Sequence, residues 1–273
     1  RGHSFQSLRE NPLASFFVVN HKVPVSDAIT RFAIAARTNS LPTGETLHHD
    51  QNRDHVARCP LCTSNPALDS LAHRLNRCPS KFALYTRRHN LVVETILAAV
   101  QDVLTPAPII YRNTPVVING TPVSERCRNL RPDAWYLDGQ GNLTIIEVTI
   151  PYASTSDHNP SGIPEDTMES RYEEKKAKYA PLVNDATQTF GIQVNLFVFV
   201  ISSLGAPHKT FAANILRMLS CTKPKAEYWT RRAVIQALYG SFSIYRNLDF
   251  SVDVQNTVPV LRGRRRPQRA PNA

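Results

Sequence analysis

The chain has 273 residues, enough for one large or two small domains with a sizeable buried core. No segment approaches the roughly 18 consecutive apolar residues of a membrane span, and no secretory signal is visible, so we predict a nuclear protein, cytoplasmic before import, without a membrane partner. The formal net charge of +10 favours polyanionic partners.

The first part of the chain, residues 1–56, is predicted to be a helical linker from an upstream domain that this chain lacks. The chain begins at Arg1 rather than at methionine, which we interpret as the mark of a piece cut from a longer polyprotein. Ser26 is a candidate N-cap for a helix that runs through Ala36. Residues 41–55 are polar and are predicted to form a loop.

Three cysteines and one histidine follow in the pattern C-x2-C-x10-H-x4-C: Cys59, Cys62, His73 and Cys78. Thiolates and one imidazole at this spacing suit tetrahedral Zn²⁺. Because all four ligand places are filled, the zinc is predicted to be structural, in a knuckle over residues 57–80. The alternative is a set of ordinary intracellular cysteines beside a surface histidine. Cys127 and Cys221 are predicted to be free thiols in a reducing compartment.

Basic residues lie after the knuckle and at the end of the chain. A helix is predicted over residues 80–103, and Arg87 and Arg88 within it place positive charge beside the zinc module. Residues 246–273 are predicted to be a disordered basic tail whose arginines neutralise phosphates without reading sequence. A solvated terminus without a partner is the alternative. The tail arginines are Arg262, Arg264, Arg265, Arg266 and Arg269.

Two β-prone runs in the middle of the chain predict an antiparallel hairpin. A first strand or hairpin is predicted before it, from residues 116–118 and the turn Asn119-Gly120. With Gln140 at the centre of the hairpin turn, facing residues have numbers that sum to about 280, as those of Asp133 and Glu147 do. Residues that face each other in this way have Cβ atoms about 4.5–5.5 Å apart. Like charges so placed repel unless a cation lies between them, and hard carboxylate oxygens suit Mg²⁺. The pair therefore predicts a magnesium site.

The next helix brings a lysine toward the same face. Asp166 and Glu169 form a candidate capping box, and an apolar stripe at helical spacing follows: Met168, Tyr172, Lys175, Tyr179, Leu182 and Ala186. Lys175 therefore points inward, with the two acids as its nearest candidate partners. Pro181 is predicted to bend or break the helix. The non-catalytic alternatives are a structural ion pair at Glu147 and a lysine that extends its ammonium to solvent.

The remaining elements complete an α/β pattern. Residues 192–201 predict a buried strand, parallel to the second hairpin strand through a right-handed crossover. Helices are predicted over residues 209–219 and 226–239. Tyr228 and Trp229 in the last helix are interpreted as packing residues rather than as platforms for nucleic-acid bases.

At these residues the chain resembles a known family. The run Arg131-Pro132-Asp133 followed by Glu147 is similar to the restriction-endonuclease-like motif P-D…(D/E)-x-K, although Thr149 stands where that motif has its lysine. The helix supplies a K-x-x-K-Y pattern instead, which resembles the endonuclease of site-specific non-long-terminal-repeat retrotransposons, notably the clade that inserts into large-subunit ribosomal RNA genes. The Cys–His pattern, with Arg87-Arg88-His89-Asn90 after it, resembles the knuckle that precedes that endonuclease.

The resemblance implies a restriction-endonuclease-like α-β-β-β-α-β core over residues 81–245. It implies that Asp133 and Glu147 hold Mg²⁺ and that Lys175 and Lys178 are the paired catalytic lysines. The expected reaction is a nick in double-stranded target DNA that leaves a 3′-hydroxyl. That hydroxyl would prime copying of the element's RNA by an RNA-directed DNA polymerase of the parent polyprotein, outside this chain. Nucleic-acid contacts are expected at Arg87, Arg88, Arg131, Arg264, Arg265 and Arg266.

Two other classes of function fit the same residues. In one, the chain is a non-catalytic nucleic-acid-binding module that depends on its zinc knuckle and basic tail, and the acids are structural. In the other, it is a zinc-stabilised scaffold that docks onto another protein. The sequence predicts neither the oligomeric state nor the target site.

Overall fold

The computed structural model describes residues 12–16, 25–51, 57–62, 67–153 and 167–246. Within them the protein is a mixed α/β structure with a Cys/His cluster ahead of the sheet. None of the described helices has the length and apolar character needed to cross a membrane. The candidate capping residue Asp166 and the tail arginines lie outside the described residues.

The strands form one main sheet and one small hairpin. The main sheet has the order β1-β4-β5-β6, with antiparallel pairs up to β5 and a parallel pair between β5 and β6. The strands β2 and β3 pair only with each other. Their bounds are β1 Tyr111–Arg112, β2 Val117–Ile118, β3 Thr121–Pro122, β4 Ala134–Leu137, β5 Leu143–Thr149 and β6 Val194–Val200.

Helices lie on both faces of the main sheet. Alternate residues of a strand face opposite sides, so Tyr136 and Ile146 join a core with the helices before and after the sheet, while Trp135 and Ile145 join a core with the crossover helix α4. The helices are α1 Asp27–Arg37, α2 Gly44–Gln51, α3 Phe82–Val103, α4 Thr167–Phe190, α5 Phe211–Leu219 and α6 Lys223–Arg246.

The hairpin forms in the predicted register. Ala134 pairs with Ile146, so the numbers of facing residues sum to about 280, as the sequence predicts. In the turn, the Asp138 carboxylate accepts the backbone N–H groups of Gln140 and Asn142, and Gly141 takes a φ of +80°. The left-handed conformation at Gly141 costs little because glycine has no Cβ. Asp133 therefore comes directly before β4, level with Glu147 across the pair.

The helix α4 and the strand β6 also agree with the pattern. The predicted stripe faces the sheet, with Met168, Tyr179, Leu182 and Ala186 buried. The helix runs on past Pro181 to Phe190, so the predicted bend or break does not end it. Burial of the stripe on both sides of Pro181 offsets the hydrogen bond that proline removes. The strand β6 is parallel to β5, as predicted.

The start of the chain holds one prediction that is confirmed and one that is wrong. Ser26 caps α1, accepting the N–H of Ile29 at 3.4 Å. The predicted loop at 41–55 is instead helical from Gly44 to Gln51. A residue outside this helix accepts a hydrogen bond from its first N–H group: the Asp69 carboxylate lies 2.8 Å from the Gly44 nitrogen. A cap 25 residues away has no local sequence signal.

Of the predicted strand or hairpin at residues 116–120, the structure has the hairpin, and it lies outside the main sheet. The segment at 116–118 forms the separate hairpin β2–β3, and the strand that pairs with β4 is β1. The side chain of Tyr111 in β1 stacks on Trp135 with ring centroids 4.1 Å apart. That aromatic pair fixes the edge strand, and its partner lies too far along the chain for pattern analysis to find.

Candidate functional site

Glu147 is the buried carboxylate of the site. It lies in the middle of β5 with 3 % of its surface exposed. Its Oε1 accepts from Lys175 Nζ at 2.6 Å, and Lys178 Nζ lies 3.8 Å from the same oxygen. Its Oε2 is buried and accepts no hydrogen bond from the described residues. A buried carboxylate oxygen without a donor is costly unless a cation or a water fills the place.

Asp133 is held at the start of β4 by two donors. Its Oδ2 accepts the backbone N–H of Val148 at 2.7 Å and lies 3.2 Å from His89 Nε2. The same His89 nitrogen is 3.2 Å from the Val148 carbonyl. Burial lowers the pKa of His89, but the hydrogen bond and the charge of Asp133 outweigh it, so that the pKa is raised above its usual value.

The Tyr179 hydroxyl lies between Lys178 and the backbone that precedes Asp133. Its hydroxyl donates to the Arg131 carbonyl at 3.1 Å and accepts from Lys178 Nζ at 3.1 Å. Burial raises the pKa of Tyr179, and the charges of Glu147 and Asp133 raise it further. The phenol therefore stays protonated beside both carboxylates.

Glu147, Lys175 and Lys178 thus come together, and the hairpin register places Asp133 level with Glu147. The hairpin supplies the two acids, and α4 supplies Lys175 and Lys178 on its sheet-facing side. The predicted pairing of Lys175 with Glu147 is confirmed, and the Lys175 side chain is only 20 % exposed rather than extended into solvent. The catalytic roles of these residues stay predictions.

His89 is the site residue that sequence reasoning missed. It appeared only as part of the run after the knuckle, with no role. The missing signal is topological, because α3 reaches the hairpin across the sheet and no spacing links position 89 to position 133. Tyr179 was expected on the apolar stripe, but its hydroxyl contacts were not.

The basic residues assigned to nucleic acid are distributed differently from expectation. Arg88 is 2 % exposed, donates to Ser241 Oγ at 3.0 Å and packs against Gly240 of α6. Its guanidinium has no surface to offer a phosphate, so the assignment of Arg88 is wrong. Arg87 is half-buried and Arg131 is exposed. The tail arginines, and with them the predicted disorder of the tail, lie outside the described residues.

The four predicted zinc ligands converge on one point. Their donor atoms all lie within 4.8 Å of one another. The Cys78 sulfur lies 3.9 Å from that of Cys59 and 3.8 Å from that of Cys62, whose sulfur is 3.3 Å from His73 Nε2. Ligand sulfurs about 2.3 Å from a tetrahedral zinc are about 3.8 Å apart. The cluster could therefore hold zinc.

Local structure places these ligands. The N–H of Cys59 donates to the Ala67 carbonyl, and an antiparallel bridge joins Arg58 to Leu68. A short helical segment over residues 71–77, π-helical from His73 to Arg77, carries His73 and leads to Cys78. Burial and the two neighbouring thiols raise the pKa of Cys62 to about 11. A bound cation reverses this preference, because it favours the thiolate.

The cluster also contacts the sheet and α3. Asn76, in the turn after His73, donates to the Ile150 carbonyl at 2.8 Å. Tyr85 of α3 accepts the Cys78 N–H at 3.0 Å. Lys81, just before α3, is buried and donates to the Ile244 carbonyl at 2.9 Å. The cluster therefore braces α3 and the end of β5.

Compared with known proteins, the chain matches no protein-family model and no curated protein.

Proposed function

We propose that this chain is the metal-dependent DNA endonuclease part of a retrotransposon Pol polyprotein. It would act in the nucleus, hydrolysing one phosphodiester in double-stranded target DNA. One observation carries the proposal: Glu147 is buried with an unpartnered oxygen, is paired with Lys175 and lies level with Asp133 in the hairpin. A purely structural ion pair would need only Glu147 and Lys175, and would not need Asp133 level with Glu147.

The reaction attaches a water oxygen to phosphorus and breaks the bond from phosphorus to O3′. It leaves a 3′-hydroxyl and a 5′-phosphate. A Mg²⁺ held by Asp133 and Glu147 would lower the pKa of the attacking water and offset charge on the phosphoryl oxygens. Lys175 and Lys178 together would orient that water and stabilise the charge that develops in the transition state. Tyr179 holds Lys178 by its hydroxyl.

The arrangement of elements supports the proposal. With the small hairpin set aside, α3, β1, β4, β5, α4 and β6 follow the order α-β-β-β-α-β. That is the order expected of a restriction-endonuclease-like core, and its crossover helix carries the lysines. The proposed cofactors are a catalytic Mg²⁺ and a structural Zn²⁺ at Cys59, Cys62, His73 and Cys78. The proposed partners are target DNA and, through the parent protein, the element's RNA.

The test is nicking of a supercoiled plasmid in Mg²⁺ or Mn²⁺. Wild type should convert supercoiled to open-circular plasmid, and Lys175→Ala should lose at least about a hundredfold in rate, as for removal of a group that stabilises transition-state charge. Lys176→Ala is the matched control, because Lys176 is exposed and pairs with Glu173 on the outer side of α4. Lys176→Ala should nick like wild type. Absence of metal-dependent nicking by wild type would contradict the proposal.

A second candidate function has its own support. Both acids already have protein partners, as they would in a non-catalytic, zinc-dependent nucleic-acid-binding module. Asp133→Ala separates the two: the nuclease loses nicking while DNA binding survives. The salt dependence of DNA binding separates the nuclease and the binding module from a scaffold that docks onto protein. DNA binding through several cations weakens steeply as the salt concentration rises. A flat response to salt would favour the scaffold.

A further inference from the structure

His89 is placed by a fixed part of its helix. The residue before it, Arg88, is buried between α3 and α6, where its guanidinium donates to Ser241. A Cβ at Gly240 would come within 2.5 Å of the Arg88 side chain, so the two helices are in close contact at this level. Val92 and Val93, one turn further on, are in the core against the sheet. The backbone that carries the His89 imidazole therefore has little freedom.

The imidazole nitrogen that faces the site must carry a proton. His89 Nε2 lies between two acceptors, Asp133 Oδ2 and the Val148 carbonyl, each at 3.2 Å. A bare ring nitrogen there would place a lone pair against two oxygens. A proton at Nε2 is present both in one neutral tautomer and in the imidazolium, so the contact does not depend on the charge of the ring.

Two N–H groups then fix one oxygen of Asp133. Val148 N–H comes from the backbone of β5, and His89 Nε2–H comes from α3. Oδ2 is occupied in this way, whereas no hydrogen bond from the described residues to Oδ1 accompanies it. A carboxylate that binds a metal or a water with one oxygen is commonly held through the other.

We propose that His89 is the positioning residue of the nuclease site: its Nε2–H holds Asp133 Oδ2 so that Oδ1 serves the metal and the attacking water. This inference rests on the proposed endonuclease function. It adds to the acids and lysines a residue whose part is to orient Asp133, without contact to the substrate.

The experiment compares three variants in the plasmid nicking assay, with the Mg²⁺ concentration for half-maximal rate as a second readout. His89→Ala should lower the rate about 10- to 100-fold and raise the Mg²⁺ requirement, as for loss of a group that orients a metal ligand. His89→Gln keeps an N–H near the place of Nε2 and should recover most of the loss. His89→Asn carries the same amide one carbon shorter, cannot reach Asp133 and should stay near His89→Ala.

The amide pair makes the test specific. If His89 only packs, the nicking rates of His89→Gln and His89→Asn should change by the same amount, and equal rates for the two variants would overturn the inference. A wild-type nicking rate for His89→Ala would overturn it as well. Thermal unfolding of each variant checks that the Gln and Asn proteins are equally folded. If wild type itself does not nick, the endonuclease proposal fails, and the proposed role of His89 fails with it. If wild type nicks and all three variants match it, only the role of His89 is lost.

Discussion

The Cys/His cluster and the acid–lysine site are built in different ways. The cluster takes all four donors from 20 consecutive residues, and its sulfurs and nitrogen lie within 4.8 Å of one another. The acid–lysine site takes its groups from α3, the hairpin and α4. There each carboxylate is already met by protein donors, Glu147 by Lys175 and Asp133 by His89 and Val148.

This difference indicates what each region needs in order to fold. Three thiols and an imidazole gain little from one another, so a bound ion would supply much of the stability of the cluster. The acid–lysine site is stabilised by its own ion pair and hydrogen bonds, so it can form without Mg²⁺. Metal removal should therefore unfold part of one region and leave the geometry of the other nearly unchanged.

The largest effect should come from the cluster. We expect Cys78→Ser to lose the bound zinc and to lower the free energy of unfolding by more than about 3 kcal/mol, because a structural metal contributes directly to folding. Zinc content and chemical denaturation of the purified chain measure both effects. Cys221→Ser is the control, because Cys221 lies away from the ligands in the core around α5 and α6. An unchanged zinc content in Cys78→Ser would contradict the assignment of the cluster.

A smaller effect should follow from removal of the lysine partner of Glu147. Lys175→Met leaves a carboxylate buried in β5 without its nearest cation, which should cost about 2–3 kcal/mol of unfolding free energy. Lys178→Met removes a side chain that is 43 % exposed and 3.8 Å from the same oxygen, and should cost less than about 1 kcal/mol. Urea denaturation of both proteins makes the comparison. Equal costs would mean that the two lysines share Glu147 evenly.

The smallest effect concerns an ion pair outside both regions and depends on pH. Asp185 accepts from Arg126 and Ser124, whose hydrogen bonds hold its pKa well below the ordinary value of 3.8. A carboxyl group with a lowered folded-state pKa stabilises the fold above its unfolded pKa, and this contribution is lost as pH falls toward the folded value. Asp185→Asn should therefore remove part of the stability at pH 5–7 and flatten the decline below about pH 4.

Urea midpoints of wild type and Asp185→Asn between pH 3 and pH 7 test this expectation. Zinc content and plasmid nicking at pH 7 should match wild type, because Asp185 contacts neither region. Parallel pH curves for the two proteins would show that the Arg126 pair contributes nothing to acid stability.

Local patterns predicted the elements on which both regions depend. The spacing of Cys59, Cys62, His73 and Cys78 was sufficient for the cluster because its ligands are close along the chain. The hairpin register followed from the turn, and it placed Asp133 level with Glu147. The stripe on α4 turned Lys175 toward the sheet, because helical periodicity alone decides which side chains share a face.

Contacts between distant segments decided the rest. A pattern of cations did not distinguish Arg88, which is buried against α6, from its half-buried neighbour Arg87. It gave no role to His89, whose partner is a hairpin residue 44 positions away. The cap of α2 by Asp69 and the stacking of Tyr111 on Trp135 were invisible for the same reason.

The sequence by itself therefore determined the Cys/His cluster, the hairpin register and the inward lysine, since each depends on a repeat or spacing along one or two elements. Only the tertiary structure decided which donor holds Asp133, which arginine is buried and which strand forms the sheet edge. Those outcomes depend on how helices pack across a sheet, and packing brings together residues whose separation along the chain carries no periodic signal.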